Sequence, residues 1–149
     1  MSDLNPIVIR AIDTRSGQQI LEYTVPFSPK ITVRQVLEQA FLIGQTPTSP
    51  DPFLFTFEYY GYSQSTQFPG YMGYELESIN GDSYNGEYYW ELQVDGVATQ
   101  SGADTTFPNP GSTISWLYVS VPADSSRVSP RLTAIQKRHA SRTRRASQG

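Results

Sequence analysis

The stretch that most narrows the possible folds is ESINGDSYNGEYYWELQVDG, Glu77 to Gly96. Tyr88, Trp90, Leu92 and Val94 alternate strictly with Tyr89, Glu91, Gln93 and Asp95, the period-two pattern of a strand with one face on a core and the other in water. Two Asn-Gly pairs and an Asp-Gly punctuate the stretch. Such pairs supply the two positive-φ residues of a tight hairpin turn. A chain organised around this segment is an antiparallel β protein. Tyr88 and Trp90 belong to its core, whereas Tyr84, in a loop, and Tyr89, on the wet face, are left for the surface.

The remaining segments extend the pattern. PIVIRAID and QILEYTVPF, separated by TRSGQ, read as a first hairpin. In ITVRQVLEQAFLIG, Thr32 and Gln35 form a capping box, with Ile31 and Val36 at the staple positions around it. Val33, Val36, Leu37, Ala40 and Phe41 share one helical face, and Gly44 is suited to a left-handed stop. QTPTSPDP then interrupts all regular structure. FLFTFEYY, YMGYELESI, EYYWELQVDG and STISWLYVSV follow as strands. The order β-β-α-β-β-β-β predicts an α+β, mostly β fold, a β-grasp-like mixed sheet crossed by one amphipathic helix.

Net charge divides the chain. Residues 1–126 hold all 14 acids and four bases, which gives −10, and residues 127–149 hold seven bases and no acid, which gives +7. We therefore expect a body over 1–124 and a basic tail over 125–149, disordered or a short docked helix. Ser129 and Pro130 read as a helix start, and Leu132 with Ile135 forms an apolar stripe beneath the bases. Arg131, Leu132, Ile135, Lys137, Arg138, Arg142, Arg144 and Arg145 are the candidate docking residues. Three readings of the tail stand open: solvated disorder, docking on an acidic body of this chain or a neighbour, and contact with nucleic acid or an anionic membrane. The acidic body itself repels phosphates. The first twenty residues do not read as a secretory signal, and no stretch reaches the roughly 18 apolar residues of a membrane span. Compartment is thus not assigned.

Catalytic chemistry finds no constellation here. The sole histidine is His139, in the tail, and there is no cysteine, so a nucleophile with its base is not available in the body. Glu75 and Glu77 recur at period two and are expected to face water. No metal-ligand spacing occurs, and no metal or cofactor is expected. Aromatics are the remaining feature: 10 Tyr, 7 Phe and 2 Trp. Tyrosine offers large contact area at low entropic cost. Tyr59, Tyr60, Tyr62, Tyr84 and Tyr89, at strand ends, in loops or on the wet face, are the candidate recognition residues. The long loop from Gly61 to Gly70 lies among them. A glycan, another small molecule or a protein partner suits such a surface. The alternative role is structural, self-association through the tail.

ITVRQVLEQA, YMGYELESING, YYWELQVDG and SGADTTFPNPGSTISWLYV occur in the order and spacing of a bacterial domain family of unknown function, DUF4430. This family is related to the C-terminal β-domain of transcobalamin and intrinsic factor. The chain resembles that family over residues 5–121. The resemblance implies a β-grasp-like, non-enzymatic binding domain of extracytoplasmic origin, with cobalamin as a ligand in the animal relatives. There a large helical domain shares the cobalamin, and this chain has none.

Overall fold

The computed structural model describes residues 5–62, 73–99, 101–122 and 132–140. Strands β1 (Ile7–Asp13) and β2 (Gln18–Val25) form the first hairpin, followed by helix α1 (Val33–Gly44). Then come β3 (Phe55–Tyr59), β4 (Tyr74–Ile79), β5 (Asp82–Ser83), β6 (Tyr88–Val94), β7 (Val97–Ala98) and β8 (Thr113–Ser120). A second helix, α2, spans residues 132–140. The result is an α+β, mostly β fold. Its main sheet has the order β2-β1-β8-β6-β7. Only the β1–β8 pair is parallel, which brings the last body strand back beside the first and makes the sheet mixed.

The helix starts where the capping box demands. The Thr32 hydroxyl accepts from the Gln35 amide at 3.1 Å, and the Gln35 side chain accepts from the Thr32 amide at 2.9 Å. Val33, Val36, Leu37 and Ala40 are buried against a core that includes Ile7, Ile9, Leu92, Ile114 and Trp116. Gly44 does not stop the helix as a left-handed residue. The capping residue after it, Gln45, is extended, and Gly44 has no positive φ. Glycine is required there by crowding: a Cβ would lie 2.5 Å from the Tyr23 hydroxyl and 2.8 Å from Pro52 Cβ.

The third and fourth strands do not extend the main sheet. They form a second, three-stranded sheet of order β3-β4-β5. Its connection to the main sheet is aromatic. Trp90 Nε1 donates to the Asp82 carbonyl at 2.8 Å and the Tyr118 hydroxyl to the Ser83 carbonyl at 2.5 Å. The two rings lie 4.8 Å apart. Main-sheet side chains thereby supply donors to two carbonyls of the two-residue strand β5. The alternation that marks Trp90 as core thus also makes it a support for the small sheet. Asn80-Gly81 and Asp95-Gly96 turn with φ values of 50°, 86°, 53° and 82°, all in the left-handed region their sequence favours.

Candidate functional site

The small sheet has two faces of opposite chemistry. Phe55, Phe57 and Tyr59 pair across β3–β4 with Ile79, Leu76 and Tyr74, and this front face looks toward α1, where Phe41 meets Phe55 edge-on at 5.7 Å. Behind it, Glu58 stands opposite Glu75, with Tyr60 two residues along on the same side. A bulge between Thr56 and Phe57 skips Glu77 in the β3–β4 register. Unbroken alternation from Tyr74 would put Ile79 on the back with the glutamates; the extra residue returns it to the core, where it is fully buried.

At the front edge the tyrosines gather. The Tyr59 ring lies 4.9 Å from Tyr74 and 5.5 Å from Tyr62. Tyr59 and Tyr62 nevertheless remain 48% and 50% exposed. Asp104 fixes their arrangement: one carboxylate oxygen accepts the Tyr62 hydroxyl and the other the Tyr74 amide at 2.9 Å. That hydrogen bond, with the Asp104 charge behind it, pushes the Tyr62 phenol up to about 12. The loop carrying Asp104 is itself held from both sides, Ala103 donating to the Tyr74 carbonyl and accepting from the Arg34 amide. Gly73 has φ 53° and no room for a Cβ, which would collide with Asp104 and Tyr62. Arg34 completes the group, its guanidinium 4.2 Å above the Tyr74 ring.

The back face is covered by α2. Arg138 Nη1 reaches Glu58 Oε1 at 3.1 Å, and both terminal nitrogens donate to the Tyr59 carbonyl at 3.2 Å. The same guanidinium lies 4.3 Å over the Tyr60 ring. His139 meets Tyr84 edge-on at 5.1 Å, and Leu132 is fully buried. Ile135, Arg138 and His139 line one side of a cavity of about 140 Å³ whose other walls are Glu58, Tyr60, Glu77, Ser83 and Tyr84. Burial pushes the Tyr60 phenol up to about 12, with Glu75 and Glu77 adding to the rise and Arg138 opposing it.

The five candidate tyrosines therefore separate. Tyr59 and Tyr62 stand in the exposed cluster. Tyr60 and Tyr84 face α2. Tyr89 is not on a wet face at all, being 4% exposed. Val119 stands opposite it and Leu117 opposite Glu91, so that side of the sheet also carries apolar groups. Glu75 likewise does not face water and is 1% exposed. Among the tail residues, Leu132, Ile135, Lys137 and Arg138 belong to α2. Arg131, Arg142, Arg144 and Arg145, the Ser129-Pro130 start and most of the Gly61–Gly70 loop lie outside the described residues. Three members of the front cluster escaped sequence reasoning: Tyr74, Asp104 and Arg34. Asp104 sits in the distinctive SGAD segment, but nothing local says that its carboxylate serves tyrosines 30 and 42 positions away.

A second, open cleft of about 510 Å³, lined by Val25, Phe27, Ile31, Gln35 and Gln39 among others, shares no residue with either cluster. No group of three or more His, Cys, Asp or Glu placed to hold a metal ion occurs among the described residues. Nor is any helix among them long and apolar enough to cross a membrane.

A mixed sheet with a helix on one face, a second small sheet and an aromatic patch at a strand end defines a small α+β, mostly β domain. The chain belongs to the family described as a domain of unknown function, DUF4430, whose model matches residues 32–120. No curated protein matches it. Among solved structures it is similar to a candidate metal-binding protein from Ruminococcus gnavus ATCC 29149, with a TM-score of 0.55 and 13% identity. The match covers 79% of this chain and 99% of the other, and at that identity it is a likeness of fold.

Replacing Asp104 with Asn removes the charge that holds the Tyr62 proton. In a pH titration of 13C-labelled tyrosine rings, assigned with Tyr62→Phe, the Tyr62 transition should move from about 12 toward 10.0, with the Tyr60 transition unchanged.

Proposed function

We propose that this chain is a non-enzymatic binding module whose recognition surface is the front tyrosine cluster. The observation that carries the reading is the exposure of Tyr59 and Tyr62 although both are held in place, Tyr62 by Asp104 and Tyr59 against Tyr74. Ordering such side chains in advance lowers the entropic cost of binding, and half-exposed phenols offer both a stacking face and a hydroxyl. The position of the sole histidine, on α2 and packed edge-on against Tyr84, fits this reading. Cobalamin, which the resemblance to transcobalamin brings in, and metal ions, ascribed to the Ruminococcus protein, are candidates to be tested beside glycans and peptides.

The test is calorimetric titration of the full chain with a panel of neutral and acidic glycans, peptides, cobalamin and divalent metals. At least one organic ligand should bind, and Tyr59→Ala or Tyr62→Ala should weaken it by about tenfold or more, as expected for losing a stacking ring at the centre of a small interface. Binding that is indifferent to both substitutions contradicts the reading.

A second reading is favoured by one observation, the seat of a basic helix on an acidic face. The Arg138 contact with Glu58 and the burial of Leu132 use chemistry that a neighbouring copy offers equally, and exchange of an identical element is a low-cost route to assembly. On this reading the protein is structural and its tail joins copies. The mass in solution of the full chain should then exceed that of a monomer at low salt and fall to the monomer for a truncation ending at Asp124. Monomeric masses for both chains at every salt concentration contradict it.

A further inference from the structure

We propose that Arg34 is the anion-receiving arm of the tyrosine cluster and that the ligand is an acidic sugar unit, whose ring stacks on Tyr59 or Tyr62 while its carboxylate meets the guanidinium. The inference rests on the binding-module reading and names its ligand class.

Arg34 has five N–H donors, and among the described residues its side-chain nitrogens have no hydrogen-bond partner. Its Nε is closed off from solvent and out of a ligand's reach, whereas the side chain as a whole is 35% exposed, which leaves the terminal nitrogens to meet an acceptor. The nearest carboxylate is Glu38, at 3.9 Å. That pair is partly exposed and one turn apart on α1, an arrangement that contributes little and yields readily to a competitor. Asp104, the other acid of the cluster, has both oxygens taken by Tyr62 and Tyr74.

The guanidinium is also fixed in place. It stacks on Tyr74 at 4.2 Å and borders Phe57 at 5.9 Å, while its own backbone amide is tied to Ala103. Its two terminal nitrogens form a planar fork that suits a carboxylate, which they can hold by two parallel hydrogen bonds. The position adds to the attraction. Arg34 lies in the first turn of α1, near the positive end of the helix dipole, and that turn contains no acid of its own. The helix amides contribute no contact of their own, since Val33, Arg34, Gln35 and Val36 all donate internally. The side-chain fork alone is on offer. A body of charge −10 repels a polyanion, whereas a single carboxylate beside a flat, partly apolar ring meets both halves of the site.

The experiment titrates the full chain with glucuronate and with glucose, which carries a hydroxymethyl group where glucuronate has its carboxylate, following affinity by calorimetry and the Arg34 guanidinium N–H signals by NMR. Glucuronate should bind more tightly than glucose and shift the signals of the Arg34 guanidinium, most at its terminal N–H groups. Arg34→Gln should weaken glucuronate by at least about tenfold, the usual scale for losing a charged hydrogen-bonded pair. It should leave any glucose binding unchanged, and Arg34→Lys should restore only part, since an ammonium lacks the fork. Equal binding of the two sugars, an Arg34→Gln variant that titrates like the parent, or no glucuronate binding at millimolar concentration overturns the proposal. Equal binding that is lost in Tyr59→Ala would leave the recognition reading standing while removing the role of Arg34. Failure of both sugars, and of every organic ligand in the wider panel, would remove both.

Discussion

The small sheet depends on how a carboxylate pair on its back is accommodated. Glu58 and Glu75 stand directly opposite each other, a like-charge pairing that opposes sheet formation. Glu75 is nearly removed from water besides. Arg138 reaches this face from α2, paired with Glu58 and donating to the carbonyl of Tyr59 in between. Residues 58 to 60 therefore serve two structures at once. The side chains of Glu58 and Tyr60 belong to the helix seat, and the ring of Tyr59 belongs to the exposed cluster on the other side.

Magnitudes separate the roles of the contacts. The Arg138–Glu58 pair is partly exposed, with side-chain accessibilities of 36% and 12%, and an exposed pair contributes about 1 kcal/mol or less. Fully burying a leucine is worth about 1.5–3 kcal/mol, so Leu132 provides more of the attachment and Arg138 sets its register. A helix of nine residues is marginal alone in water, and α2 therefore owes its helical state largely to this seat. The overall opposition of −10 and +7 steers the tail toward the body, but one buried side chain and one directed ion pair decide where it rests.

Much of the fold was legible in the sequence because local chemistry and tertiary structure agree. The capping box, the buried helix face and the Asn-Gly and Asp-Gly turns all follow from residues within a few positions of each other. What was not legible depends on distant partners. Gly44 looked like a helix stop, yet Tyr23 and Pro52 are what exclude a side chain there. Glu75 looked solvated because alternation alone cannot show a second layer over the sheet. A bulge at Glu77 changed the facing of Ile79 without any glycine to announce it. Tyr89 shared its side of the sheet with polar residues in sequence, but register set Val119 opposite it. The tyrosine cluster was half visible. Tyr59 and Tyr62 stood out by composition, whereas Asp104 and Arg34 acquire their role only when the SGAD loop meets the start of α1 and the first residue of β4.

The central claim is that the small sheet carries the tyrosine cluster on one face because α2 supports the other. Amide hydrogen exchange tests it most directly, comparing the full chain with a Leu132→Ala, Arg138→Gln double variant. The Tyr60 and Gly73 amides, which close the end of the small sheet through the Gly73 and Gly61 carbonyls, should lose protection by about tenfold or more, equivalent to roughly 1.4 kcal/mol of local stability. The amides of Ile9 and Trp116 in the main sheet should keep theirs. Unchanged protection at Tyr60 and Gly73 would show that the small sheet stands without α2 and would contradict the account.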